Sequence, residues 1–507
     1  MKHILDGKSL TLEILAQVAQ GGAELELSGE ALKRMESARR VIESILHSGR
    51  VMYGVNTGFG KLAEVRISPD DLQTLQTNLI LSHACGTGQA LSAPEVRAVM
   101  ALKLNALLTG YSGCRTVLAH YLHHLLAKDV LPVIPEKGSV GACGDLAPLA
   151  HLALVLIGRG EAWVQGQKVS GREALRFVDL QPLELAAKEG LALINGTQFM
   201  AAVGSLAWLQ LHTLARSADI CGAMSAEALL CTPVAFDQRI QVARGYAGQQ
   251  QVAANLRRLM ADSPIRNSHL HCQRVQDAYS VRCLPQVHGA VRDYLQPLRE
   301  TFAIELNAAT DNPLVFAEDG EVLSGGNFHG HPLAIACDVM AMLATHLAAM
   351  SERRIAFMMD STLSELPPFL VRNSGLNSGF MIAHVAAASL VSENKVLSHP
   401  ASVDSIPTSA NKEDFVSMGA HAAVKARTAV QNAMTVLAIE LLCACQALDL
   451  RLPLEPGPAT KAVRNLVRAQ VPPLTEDRVL AHDLAAATHL LASGAVLREA
   501  ENVIGEL

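Results

Sequence analysis

The chain has 507 residues, half of them apolar and 18% charged, with a net charge of −6. That composition excludes a generally disordered chain, and the lack of any Lys/Arg run or basic stripe argues against a nucleic-acid partner. Aromatic residues are only 4% while Ala and Leu dominate, which favours helices, because both lose little on entering one.

The first residues, MKHILDGKSLTLEIL, carry Asp6, Lys8 and Glu13 and hold no secretory core. Residues 1–50 alternate strand-like and helical pieces, with a helix expected near 29–47. Residues 51–66 are punctuated by Gly54, Gly58 and Gly60 and read as loop. Helix resumes over 69–127, from Pro69 and again from Ser92-Ala93-Pro94-Glu95, since Pro after Ser is a start signal. The longest stretch without charge, 190–215, is broken by Asn195-Gly196-Thr197-Gln198 and later polar residues, so it reads as buried helix and not as a membrane span. Two hairpins interrupt the helices, one turning at Gln165-Gly-Gln167 and one at Ala317-Glu-Asp-Gly320. The clearest long helices cover 329–357, 377–399 and 416–450. A Pro-rich break over 452–458 and short helices follow. The expected fold is mainly α: a large helical bundle with a smaller mixed α/β N-terminal region and two short hairpins. The expected division is 1–200, the mixed region, and 201–507, the bundle and C-terminal helices, with no flexible linker.

Ten cysteines are scattered without metal spacing, so free thiols in a reducing cytoplasm are the expectation, with no metal and no membrane. His120, His123 and His124 have helical spacing but no acidic or cysteine companion; they read as a partly exposed face. Glu352-Arg353-Arg354 reads as an ion-pair set.

The most unusual segment is Gly138-Ser-Val-Gly-Ala-Cys-Gly-Asp-Leu-Ala-Pro-Leu-Ala-His151. Glycines bracket the triplet Ala142-Cys143-Gly144. Asp145 is placed to cap the apolar helix that follows. Gly and Ala permit a tight backbone approach, which would bring the Gly144 nitrogen against the Ala142 carbonyl carbon. Cyclisation with loss of water, then elimination across Cα–Cβ of the central residue, would leave an imidazolone with an exocyclic methylene. No ordinary side chain supplies such an electrophile. By themselves the residues favour a plainer reading, a glycine-rich turn before a buried helix with a core cysteine.

Seven further blocks stand in order around this loop: Tyr53-Gly-Val-Asn-Thr-Gly-Phe-Gly60, Leu81-Ser-His-Ala-Cys-Gly86, Asn195-Gly-Thr-Gln198, Val275-Gln-Asp-Ala-Tyr-Ser-Val-Arg282, Asp311-Asn-Pro313, Gly325-Gly-Asn-Phe-His329 and Asn411-Lys-Glu-Asp414. With the loop they resemble the histidine and phenylalanine ammonia-lyase family over essentially the whole chain. Ser82-His83 and Glu413 are similar to its bacterial histidine branch. The resemblance implies a 4-methylidene-imidazole-5-one (MIO) electrophile made from Ala142, Cys143 and Gly144, with no external cofactor. It implies deamination of L-histidine to trans-urocanate by a homotetramer whose sites are shared between subunits.

Site roles follow from the resemblance together with the chemistry of each residue. Arg282 suits the substrate carboxylate. Tyr279 matches the residue that takes the β-proton, with Arg282 expected to lower its pKa. Tyr53 closes the pocket near the amine. Asn195 lies beside the ring and the substrate carboxylate. Phe328 packs on the cyclised loop. His83, Glu413 and Gln276 are expected to read the imidazole, since an apolar ring would leave Glu413 buried and unpaired. Two departures stand out. Cys143 occupies the place where family members usually carry Ser, so its fate is the ring by loss of hydrogen sulfide, an unprocessed thiol, or an oxidised cysteine. Phe415 stands where many histidine-branch members have His. Other readings are a tyrosine or phenylalanine ammonia-lyase or aminomutase, and an uncyclised scaffold. A fumarase-type reading lacks its Gly-Ser-Ser loop.

Overall fold

The computed structural model describes residues 2–270 and 275–507. Helices dominate it, and their ends show why. Helix Gly29–Ser48 starts where the Ser28 hydroxyl accepts the Ala31 amide and stops at Gly49, whose φ is 67°. Helix Ala93–Leu108 starts on a capping box of Ser92 and Glu95 with Pro94 in its first turn, which satisfies amides the helix cannot. The long helices His331–Met359, Met381–Leu397 and Gly419–Leu450 begin and end within about a turn of their expected positions. By length and composition His331–Met359 and Gly419–Leu450 could cross a membrane, but 61% and 83% of their apolar windows are buried in protein. The charge-free stretch becomes helix Glu189–Ile194 and the start of helix Gln198–Ala228.

Both expected hairpins form. Glu161–Val164 pairs antiparallel with Gln167–Ser170, and Leu314–Phe316 with Glu321–Leu323. Three further strand pairings appear: Lys2–Leu5 parallel to Glu24–Leu27, Thr87–Ala90 with Pro135–Lys137, and Leu131–Pro132 along the first hairpin. These strands are two to four residues long, too short for an alternating pattern to mark them.

The chain divides into two compact units, each assembled from three segments. The first comprises Met1–Ala207, Arg299–Asp338 and Pro400–Lys425; the second comprises Trp208–Leu298, Val339–His399 and Ala426–Leu507. In the first unit, Ala38, Ile42 and Ile45 of helix Gly29–Ser48 pack with Val55, Leu72, Ala187, Val315 and Val322. Val55 lies in the glycine-rich loop and is fully buried, which contributes roughly 1.5–3 kcal/mol and holds the loop that carries Tyr53. In the second unit a buried ion pair joins two long helices: Arg354 Nε lies 2.5 Å and Nη2 2.8 Å from the Glu440 carboxylate.

Candidate active site

The loop 138–145 belongs to the first unit and is fixed from several sides. Gly141 O accepts from Ser417 Oγ at 2.9 Å and from the Gly330 amide at 3.3 Å. Val140 O accepts the Met418 amide at 2.8 Å. On the far side of the triplet, the Asp145 amide donates to Gly196 O at 2.7 Å, and the Gly196 amide to Cys143 O at 3.3 Å. Gly144 adopts φ +74°, and a Cβ there would stand 2.1 Å from Gly196 O. Only glycine fits, on grounds of both conformation and space. The triplet is thus held with its C-terminal end in close backbone contact with Gly196, to which Gly144 is bridged.

Asp145 precedes helix Leu146–Leu156, but its side chain makes no capping bond there, contrary to expectation. Its carboxylate turns instead to the Met200 amide at 2.9 Å and Ser139 Oγ at 3.1 Å. It thereby ties the loop to the first turn of helix Gln198–Ala228. Complete burial raises its pKa to about 7, against the lowering effect of those bonds.

The central residue is met by an acid. Cys143 Sγ donates to Glu413 Oε1 at 2.9 Å, and Glu413 Oε2 accepts from the Thr408 hydroxyl. Burial, then the hydrogen bond to Glu413 and its charge, push the Cys143 thiol well above its ordinary value. Tyr53 shares this neighbourhood: burial raises its pKa, the charges of Cys143 and Glu413 add to the rise, and a backbone bond at Gly60 opposes it. His83 ends helix Leu72–His83, and its Nδ1 bonds Leu79 O at 2.8 Å. A carbonyl can only accept, so Nδ1 carries the proton and Nε2 is the acceptor. Burial lowers the His83 pKa, opposed by the Leu79 bond and by Glu413.

Asn195 caps the C-terminus of helix Glu189–Ile194 and is buried. Its Nδ2 donates to Asp311 Oδ1 and Asn312 O, both at 3.2 Å. Both are acceptors, which fixes the amide orientation. Asn195 Oδ1 is then left buried with no hydrogen-bond partner among the described residues, and an unpaired buried acceptor is costly. Behind it, Lys103 Nζ donates to Ala192 O at 3.0 Å and Asn195 O at 2.7 Å. Burial lowers the Lys103 pKa to about 8, opposed by Asp311. Lys188 pairs with Asp311 at 2.7 Å. Phe328 is half-buried, two residues before the Gly330 amide that holds Gly141. Phe415 stacks on His329 with ring centroids 6.1 Å apart and planes 7° from parallel.

Gln276, Tyr279 and Arg282 stand in the second unit and form their own cluster. Helical turn Tyr279–Arg282 places the guanidinium 5.3 Å from the Tyr279 ring centroid, a cation–π distance, while Arg282 Nη1 donates to Gln276 Oε1. Tyr279 is 71% exposed. The buried ion pair supports this turn, because Arg354 Nη1 donates to Ser280 O at 3.1 Å. Arg353 and His384 both pair with Glu352, as an ion-pair set would. His123 and His124 bond the backbone carbonyls of Leu25 and Val178.

Sequence reasoning did not single out Lys103, Lys188, Ser139, Thr408 or Ser417. The one usable signal was Lys103, a lone charge inside the largely apolar run Ala98–Leu108, since a lysine there must find partners.

The chain belongs to the aromatic amino acid lyases, whose family pattern it matches over residues 10–469. It is 52% identical to a histidine ammonia-lyase of Myxococcus xanthus, over 97% of both chains. The crystal structure of histidine ammonia-lyase from Trypanosoma cruzi superposes with a TM-score of 0.92 at 45% identity, covering 99% of this chain and 96% of that one. A tyrosine aminomutase from Streptomyces globisporus superposes with a TM-score of 0.93 at 37% identity over the whole of both chains.

Proposed function

We propose that this protein is a carbon–nitrogen lyase that converts L-histidine to trans-urocanate and ammonia. The observation that carries the reading is the Glu413 carboxylate, which stands 2.9 Å from the central residue of the loop and also acts on His83. An acid therefore stands at the point where an electrophile would form, with an imidazole acceptor within that acid's electrostatic reach. Phenylalanine offers nothing to either group, and burying them unpaired would cost binding energy. The high identity to histidine ammonia-lyases supports the same substrate.

The triplet fits the group the family implies: Gly144 lies in a cradle that a Cβ would fill, and its neighbours are small. A 4-methylidene-imidazole-5-one ring formed from Ala142, Cys143 and Gly144 would supply the electrophile that makes the amino group a leaving group. The remaining roles fall to side chains. Arg282 pairs with the substrate carboxylate. Asn195 Oδ1, a free acceptor, takes a substrate N–H. Tyr279 removes the β-proton, with the Arg282 guanidinium 5.3 Å from its ring centroid. Tyr53 lies over the amine, while Gln276 orients Arg282. Phe328 packs against the loop, and the helix after Asp145 stabilises charge that develops on it. The enzyme works in the cytoplasm as a homotetramer that shares residues between subunits. No metal takes part.

Purified protein is incubated separately with L-histidine, L-tyrosine and L-phenylalanine, and ammonia and the conjugated acid are measured. Stoichiometric ammonia and urocanate from histidine alone is the expected result. Turnover confined to tyrosine or phenylalanine, or a β-amino acid product, would overturn the assignment. The aminomutase fold match makes that second product the one to look for.

A further inference from the structure

We propose that Glu413 is a positioning residue for maturation of the loop: its carboxylate holds the proton on Cys143 Sγ so that sulfur departs as hydrosulfide. The inference rests on the reading that Ala142, Cys143 and Gly144 cyclise.

The geometry is specific. Sγ donates to Glu413 Oε1 at 2.9 Å, and the other carboxylate oxygen is occupied by the Thr408 hydroxyl. The backbones of Thr408 and Glu413 bond each other in both directions, at 3.0 and 3.4 Å, so the carboxylate sits on a closed turn. Among the described residues, Tyr53 also interacts electrostatically with the thiol, and His83 with Glu413. None of these is a fixed cation that would draw the proton off sulfur.

The chemistry needs that proton. In the first step the Gly144 nitrogen bonds the Ala142 carbonyl carbon; the oxygen leaves as water with the amide protons of Gly144 and Cys143, and that carbon forms a double bond to the Cys143 nitrogen. In the second, the Cα–H bond of residue 143 breaks and its electron pair becomes the second Cα–Cβ bond. The Cβ–Sγ bond breaks with its pair going to sulfur. From a thiolate the departing species would be the sulfide dianion, a very poor leaving group. From the thiol it is hydrosulfide, which takes up the proton released from Cα and exits as hydrogen sulfide. No oxidant or reductant is required. A buried thiol beside a carboxylate ionises with difficulty, so the pair keeps sulfur in the form that can leave. A serine at this position would not need the device, because its hydroxyl stays protonated throughout the accessible pH range.

Wild type, Glu413→Gln, Glu413→Ala, Cys143→Ser and the double variant C143S/E413Q are made by cell-free synthesis. Released sulfide is trapped with a bimane reagent, and intact mass is followed with time. Wild type is expected to release one sulfide per chain and to lose one water and one hydrogen sulfide. In both E413Q and E413A sulfide release should fall off at lower pH than in wild type, so that at alkaline pH, where the wild-type thiol is still protonated, each variant matures at least tenfold more slowly than wild type. C143S and C143S/E413Q should mature alike by loss of two waters, which also shows that the Gln variant folds. Equal maturation of E413Q and wild type, or an equal effect of E413Q in the serine background, would overturn the role of Glu413 alone. A wild-type chain that keeps its full mass would overturn the cyclisation itself.

Discussion

Gly144→Ala is the sharpest physical test of the loop. Gly144 sits at φ +74°, and an added Cβ would lie 2.1 Å from Gly196 O and 2.3 Å from Gly196 C. Two costs follow. The left-handed conformation costs about 1–2 kcal/mol for a residue with Cβ. The overlap is with backbone, not with a flexible side chain, so relief requires moving Gly196 and stretching the 2.7 Å bond from Asp145; such overpacking costs about 1–3 kcal/mol. The sum is about 2–5 kcal/mol. Gly166, at the turn of the first hairpin, has φ +79° but nothing within 4 Å of its would-be Cβ. Gly166→Ala therefore carries only the conformational cost. Urea unfolding of both variants followed by circular dichroism gives the difference, which is the overlap term. A Gly144→Ala protein no less stable than Gly166→Ala would refute the close approach of 144 to 196.

Three further outcomes follow from the site. Asp145 has a folded-state pKa raised by burial to about 7; its stabilising contribution is full below its ordinary value of 3.8 and is lost as pH rises to about 7, so Asp145→Asn should flatten the decline in urea midpoint between those pH values relative to wild type, and an unchanged slope would contradict the burial. If Arg282 holds the substrate carboxylate as proposed, Arg282→Lys loses planar two-point pairing worth about 1.5–3 kcal/mol, and steady-state kinetics with L-histidine should show kcat/KM falling roughly ten- to hundredfold with the fold intact. Arg354→Met leaves Glu440 buried without its ion-pair partner, with only the Ser225 hydroxyl still donating to it, at a cost of about 3–5 kcal/mol, which adding Glu440→Leu should largely restore; thermal unfolding of single and double variants checks this, and equal destabilisation by both would argue against the pair.

The helices and both hairpins were legible because their signals are local: capping residues, Gly after the last turn, and turn residues between β-prone runs. The short strands were not, since four residues such as Thr87–Ala90, all exposed, carry no periodicity. The three-segment build of each unit was invisible for a related reason: nothing in the composition of 400–425 says that it packs with the N-terminal segment. At the candidate site, the residues that stand out in the sequence are those with distinctive chemistry, among them Tyr53, His83, Cys143 and Glu413. What sequence could not give was the partner of each. Asp145 looked like a helix cap because it precedes an apolar run, yet its carboxylate serves Met200, fifty-five residues away. Ser417 and Thr408 are ordinary polar residues whose importance comes wholly from where the fold delivers them.

The bond from Ser417 Oγ to Gly141 O spans 276 positions of sequence, and the Cys143–Glu413 bond spans 270. At roughly 5–20 residues per second on the ribosome, the triplet waits about 14–55 s before the residues that clamp it exist. A chain interrupted before residue 413 lacks both the Ser417 and the Glu413 contacts to the loop. A ring whose formation needs those contacts would be withheld from nascent and truncated chains until the first unit has gathered in its late segment.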